Sequence, residues 1–216
     1  VGILEKKLST SVPKPKIYTE ENIPETWTTE EVRQVLTVID RSNDIGKRDY
    51  AMLLLAILLG MRVGDICALK FKNLDWNQKL IVYTQQKTQK VNTLPLLPII
   101  GEAIIDYLKN GRLVSNCDNV FIRHIHPYGE FQSSTAISNN LKRYMRQAGL
   151  TVKKRKVAHS LRHTLASELL QEGTPLMTIS NILGHSTSKT TSVYTKVDIP
   201  TLRKCAQSYG NRRNSV

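Results

Sequence analysis

HSLRHTLASELLQEGTPLMTISNILGHSTSKTTSVYTKVD, residues His159 to Asp198, holds three of the chain's five histidines. His159 and Arg162 are three apart, so a helix starting here turns both to one side. Leu165, Leu169 and Leu170 continue an apolar stripe behind them. Gly173 ends this predicted helix, and Thr174-Pro175 opens the next with Thr174 as N-cap and Pro175 at the first helical position. Leu176, Ile179, Ile182 and Leu183 make the second helix's buried face, and Gly184 closes it just before His185. A polar, Thr-rich stretch then leads to Tyr194. A guanidinium, imidazoles and a phenol on short connected elements suit chemistry on a phosphodiester.

Outward from this stretch, the whole chain narrows the choice. It has 216 residues, 40% of them hydrophobic, enough for one compact domain with a core. The net charge of +13 calls for a polyanionic partner, because cations that neutralise phosphates release counterions. A membrane surface is the competing explanation, but no basic amphipathic helix with an aromatic face is evident. The greasiest run, Met52 to Met61, is too short for a membrane span and reads as a buried helix. No signal peptide is evident. Cys67, Cys117 and Cys205 make neither CxxC nor an even set, which points to reduced thiols and a cytoplasmic protein. The chain opens on Val1, which reads as a fragment of a longer protein.

In chain order, residues 1–23 are polar with Pro13 and Pro15 and read as a linker or arm. Thr28 and Glu31 form a capping box for a first helix buried through Val32, Val35, Leu36 and Ile39. A second helix spans Asp49 to Leu59. Arg62 follows it and precedes a short helix from Asp65 to Leu69; it is either an ion-pair partner of Asp65 or an active-site cation. Phe71 to Trp76 is extended or a turn. Leu80 to Tyr83 and Thr93 to Leu97 are two strands of a hairpin with Lys87 near its tip; most turn lysines are simply solvated. Pro98 opens another helix. His124 and His126 lack a third ligand for a metal and read as loop residues. Ser133 or Ser134 caps a helix running to Ala148. Lys142, Arg143, Arg146, Lys153, Lys154, Arg155 and Lys156 form a run with no acid, a candidate phosphate-tracking face. A last helix opens at Pro200, with Leu202, Cys205, Ala206 and Tyr209 as its apolar stripe.

Cleaving a phosphodiester without metal needs a nucleophile, positive donors on the non-bridging oxygens, and a proton donor for the departing 5′-oxygen. Arginine suits the second task, because its fork pairs bidentately with phosphate. Lysine or histidine suits the third and tyrosine the first. In order the chain offers Arg62, Lys87, His159, Arg162, His185 and Tyr194. This R…K…HxxR…H…Y order, with HSLRH, LGH and a tyrosine nine positions later, resembles the tyrosine recombinases, which include phage integrases, Xer-type resolvases and conjugative-transposon integrases. LLGMRVGDICALKF and QQKTQKVNTLPL resemble two more motifs of that family, and the likeness runs from about Thr28 to Tyr209.

The resemblance implies a mainly α fold with a small antiparallel β-sheet (α+β). It implies site-specific recombination of double-stranded DNA at attachment sites through a 3′-phosphotyrosyl intermediate, without metal, cofactor or ATP. Tyr194 would be the nucleophile, Arg62 and Arg162 the phosphate clamp, and His185 a donor to a non-bridging oxygen. Lys87 would be the general acid, His159 would assist proton transfer, and Asp65 and His163 would support the others. Residues 24–199 would be the catalytic domain. Residues 200–216 would dock on a neighbouring protomer in a homotetramer on DNA, the free protein being a monomer. The N-terminal DNA-binding domain usual in the family does not fit into residues 1–23.

Three other classes were weighed. A DNA-binding module using the two helices across Gly173 explains the charge and leaves Arg62, Lys87 and Tyr194 unexplained. A metal hydrolase on His159, His163 and His185 lacks nearby acidic or cysteine ligands, and Arg162 would repel the cation. A type IB topoisomerase shares the chemistry and differs in acting as a relaxing monomer.

Overall fold

The computed structural model describes residues 26–151 and 158–184. The predicted arm, Lys153 to Lys156, His185, Tyr194 and the helix after Pro200 lie outside the described residues, as does the side chain of Leu176.

The chain is mainly helical with one small antiparallel sheet. Helix α1, Thr29–Thr37, starts at the expected capping box, in which Thr28 Oγ1 accepts from Glu31 N–H and Glu31 Oε2 accepts from Thr28 N–H. Helix α2, Asp44–Leu59, begins five residues before the predicted start. The real cap is Asn43, whose Oδ1 accepts from Gly46 N–H; a polar first turn hid it from a reading based on apolar spacing. Every residue from Ala51 to Leu59 is buried, which makes α2 the central helix, packed against α4, Pro98–Asn110, and α6, Ala158–Gln171. Each such leucine contributes about 1.5–3 kcal/mol through burial.

Two charged residues in the first half of α2, Arg48 and Asp49, are buried too. Arg48 Nε and Nη2 donate to Asp49 Oδ1, and its Nη1 donates to the carbonyl of Ile122. The other Asp49 oxygen accepts from Asn140 Nδ2 and the Tyr144 hydroxyl. Paired and hydrogen-bonded, these charges are tolerable inside and tie α2 to α5, Thr135–Gln147.

After α2 come α3, Val63–Cys67, a 3-10 turn at Phe71–Asn73, and three strands: β1, Leu74–Asp75; β2, Leu80–Thr84; β3, Val91–Pro95. The expected hairpin is thus a three-stranded sheet in the order β1-β2-β3. Its second strand begins two residues earlier than predicted, with Tyr83 opposite Asn92 and Ile81 opposite Leu94. Ile81, Tyr83 and Leu94 face the core, and Val82 and Val91 are exposed.

Helices α4, Pro98–Asn110, α5, Thr135–Gln147, α6, Ala158–Gln171, and α7, Leu176–Leu183, complete the described fold. Two local expectations fail. Leu170 is half exposed, because it points away from the core side that takes Leu165 and Leu169. The N-cap of α7 is Pro175, and Thr174 is instead buried with its N–H on the carbonyl of Leu169. Trp27, ahead of α1, crosses to α6: its backbone N–H donates to Thr164 Oγ1 and its indole N–H to Ser160 Oγ. Among the described residues, no helix is long and apolar enough to cross a membrane.

Candidate active site

Two helices end where the predicted site residues meet. Helix α2 stops at Gly60, with φ of 59°, and α7 stops at Gly184, with φ of 60°. Both are left-handed caps, the conformation that glycine adopts without a Cβ penalty. Each leaves carbonyl groups of its last turn without partners in the helix. Arginines take them up. Arg162 Nη1 donates to the carbonyl of Gly60 at 2.6 Å, and its Nη2 donates to the carbonyl of Leu183. Arg62 Nη2 donates to the carbonyl of Gly184 at 3.3 Å. The negative ends of two helix dipoles thereby face the two guanidinium groups.

Arg62 stands beside Asp65, as the ion-pair reading expects. Its Nη1 lies 3.9 Å from Asp65 Oδ2, an ion-pair distance too long for a hydrogen bond, and among the described residues neither atom has a hydrogen-bond partner although both are buried. Asp65 Oδ1 accepts from the backbone N–H of Gln86, at the base of the Lys87 loop. Burial raises the Asp65 pKa above the ordinary carboxylate value, against the opposing pull of that N–H, Arg62 and Arg162. Arg162 is 4% exposed. Burial first, and then the charge of Arg62, lower its pKa to about 10. It remains cationic at neutral pH, and three of its five N–H donors remain beyond the two spent on carbonyls.

His159 and His163 stand one turn apart on α6, their rings edge to face with centroids 4.7 Å apart. Much of His159 faces solvent. The covered part of its ring, and then the charges of His163, Arg162, Arg62 and Lys87, hold its pKa below the ordinary 6.5. Lys87 is exposed in the loop between β2 and β3 and lies close enough for its charge to reach His159. Arg62, Asp65, Lys87, His159, Arg162 and His163 are therefore brought to one place, three cations and an imidazole pair around one acid. His185 and Tyr194 follow in the chain outside the described residues.

The basic run is placed differently. Arg143 stands over the Tyr144 ring and lines a cleft with Asn43 and Ile45, at the amino end of α2. Arg62 follows the other end of that 16-residue helix, roughly 24 Å away at 1.5 Å per residue. Arg146 is exposed and Lys142 half-buried on the same helix as Arg143. His124 and His126 do not join the site; His124 Nε2 hydrogen-bonds the Tyr107 hydroxyl at 3.2 Å. Among the described residues no three His, Cys, Asp or Glu side chains are grouped to hold a metal. Sequence reasoning missed Gln85 and Asn92. Both are buried and donate to the carboxyl end of α7, Gln85 Nε2 to the carbonyl of Leu183 and Asn92 Nδ2 to that of Ile182. Neutral amides within a polar turn carry no signal by spacing.

Comparison with known proteins places the chain in a family. The phage integrase family matches residues 25–199. The integrase/recombinase y4rA of Sinorhizobium fredii is 34% identical over 205 residues, covering 95% of this chain and 49% of that protein. The tyrosine recombinase XerA of Thermococcus kodakarensis is 32% identical over 193 residues, covering 89% of this chain and 64% of XerA. The chain thus spans about half to two thirds of the length of these relatives. Among solved structures, the XerH site-specific recombinase bound to its palindromic difH substrate superposes with a TM-score of 0.64 at 21% identity, over 90% of this chain and 52% of XerH. From the match across residues 25–199, the chain belongs to the phage integrase family, the tyrosine recombinases.

Proposed function

We propose that this chain supplies the catalytic domain of a site-specific DNA recombinase, which cuts and rejoins double-stranded DNA at attachment sites through a 3′-phosphotyrosyl intermediate. The observation that carries this reading is the convergence of Arg62 and Arg162 beside His159 and the Lys87 loop, with Asp65 as the one acid among them. Such a cluster has an excess of positive charge and donors to spare, which is what a phosphate in flight between two oxygens requires.

In the proposed reaction the Tyr194 oxygen attacks the scissile phosphorus, the P–O5′ bond breaks, and the departing oxygen takes a proton from Lys87. Arg62, Arg162 and His185 hold the non-bridging oxygens, and His159 relays a proton. Asp65 steadies Arg62 and the base of the Lys87 loop, and His163 packs on His159. The phosphotyrosyl ester keeps the energy of the broken bond, so an incoming 5′-hydroxyl rejoins the strand without ATP. Lys142, Arg143 and Arg146, with Lys153, Lys154, Arg155 and Lys156, would track phosphates outside the cleavage point. Four copies would act together on paired sites, with residues 200–216 reaching between protomers and the free protein monomeric. XerH, whose fold this chain shares, is bound to its palindromic difH substrate in the solved structure, which supports the choice of partner.

The test is covalent capture. The protein is mixed with a library of nicked duplexes of randomised core, and adducts that survive denaturation are recovered and sequenced. One recurring sequence in protease-sensitive adducts is expected, and Tyr194→Phe should bind DNA while forming no adduct. Adducts that persist in the phenylalanine variant would remove Tyr194 from the nucleophile's role.

A further inference from the structure

Gln85 is fully buried, at 0% exposure, beside the site and has no part in the chemistry above. All its polar groups are engaged. Its N–H donates to the carbonyl of Lys90 at 2.9 Å and its carbonyl accepts from Gln89 N–H at 2.9 Å, which closes the loop that carries Lys87. Its side-chain Oε1 accepts from the hydroxyl of Thr88, the residue after Lys87, at 2.7 Å. Its Nε2 reaches the other way, to the carbonyl of Leu183 at 3.4 Å, which Arg162 Nη2 also shares. That bond is long, but close packing reinforces it: a Cβ on Gly184 would collide with the Gln85 amide. Two residue pairs further along the ladder, Asn92 Nδ2 adds a second tie, to the carbonyl of Ile182 at 3.2 Å.

We infer that Gln85 is a positioning residue: it ties the Lys87 loop to the carboxyl end of α7 and through it to Arg162, so that the proton donor keeps a fixed place relative to the phosphate-binding guanidinium. Lys87 is exposed and its side chain is long, so the backbone of its loop is the part that the protein can hold. The inference rests on the reading of Lys87 as general acid, and its test separates the two.

A duplex recovered by covalent capture is resynthesised in two forms, one with the ordinary bridging O5′ and one with sulfur there. A thiolate leaves without a proton, so the sulfur form needs no acid. Single-turnover cleavage is measured for the wild type, Lys87→Ala, Gln85→Ala, Thr88→Val and the Gln85→Ala/Lys87→Ala pair, with thermal melts alongside. Gln85→Ala should cleave the oxygen form roughly ten- to a hundredfold more slowly, the scale of a misplaced group, and the sulfur form within about threefold of wild type. Thr88→Val, which removes one bond from a half-buried residue, should show the same pattern more weakly and decides the matter if Gln85→Ala does not fold. The double variant should be no slower than Lys87→Ala, because a group that acts through Lys87 has nothing left to act on. Equal losses on both substrates, or additive losses in the pair, would overturn the inference while a sulfur rescue of Lys87→Ala left the acid reading standing. No rescue of Lys87→Ala would overturn both.

Discussion

Gly60→Ala should destabilise the domain far more than Gly149→Ala, although both glycines have positive φ. The angles are similar, 59° at Gly60 and 70° at Gly149. An L-residue in that region costs about 1–2 kcal/mol, and the lower entropy of the unfolded alanine chain returns about 0.4–1 kcal/mol. These terms are common to both sites. Packing is not. A Cβ on Gly149 meets nothing within 4 Å, whereas one on Gly60 would lie 2.8 Å from Leu183 Cδ2 and 3.0 Å from Leu165 Cδ2. Carbon atoms settle at about 3.5–4.0 Å, so two buried leucines must each give way by several tenths of an ångström or more. Overpacking of this kind costs about 1–3 kcal/mol. Gly149→Ala should therefore lose about 1 kcal/mol or less, and Gly60→Ala about 2–4 kcal/mol. Urea unfolding followed by circular dichroism measures both, the slope staying constant while the midpoint moves. Losses equal within about 0.5 kcal/mol would refute the claim that α2, α6 and α7 meet in tight contact at Gly60.

Trp27→Phe removes the indole bond to Ser160 Oγ and some buried volume, and should cost about 1–3 kcal/mol in the same unfolding assay; a neutral result would mean that this segment does not hold α6. His159, with its folded pKa lowered, gives a stability contribution that is complete above its ordinary 6.5 and is lost as pH falls through the folded value, because the unfolded chain there binds the extra proton. Bound phosphate offsets the neighbouring cations, so DNA should raise that pKa; nuclear magnetic resonance titration of the His159 ring with and without duplex reads both, and an upward shift in the free protein would contradict the cause given. DNA affinity should fall steeply and linearly on a log–log plot against salt, and charge reversal of Arg143 and Arg146 together should flatten the slope by about two ion equivalents. An unchanged slope would take that helix off the DNA.

The sequence announced the parts that depend on spacing. Thr28 and Glu31, the apolar run through Leu59, Gly184 after Leu183, and HxxR at the start of a helix are local patterns, and each appears in the fold where it was expected. The bonds between distant segments were silent. Nothing near Asp49 in the chain says that Asn140 and Tyr144 will satisfy it, nor near Trp27 that Ser160 and Thr164 wait for it. Asn43 was overlooked as a cap because the first turn of α2 is polar, and β1 because a two-residue strand has no alternation to detect. For the candidate site, residue type and order singled out Arg62, Lys87, His159 and Arg162; the carbonyls that hold the arginines have no side-chain signature at all.

Those carbonyls explain how the cluster persists without a bound anion. Arg62 and Arg162 repel each other, His159 feels both, and Asp65, the acid that the described residues place beside them, cannot balance them and is itself weakened by burial. A second carboxylate would calm the site, but it would also occupy the donors that a phosphate needs and repel the phosphate itself. Helix ends solve this differently. The carbonyls of Gly60, Leu183 and Gly184 carry partial negative charge, enough to hold guanidinium groups in place without cancelling their charge. The α2 and α7 ends thus act as fixed dipoles that orient the cations, and the remaining positive charge is left for a phosphate, as the proposed reaction requires. On this account, replacing Arg162 by lysine keeps the charge and loses the fork that spans two helix ends, so the variant should lose cleavage although its net charge is unchanged.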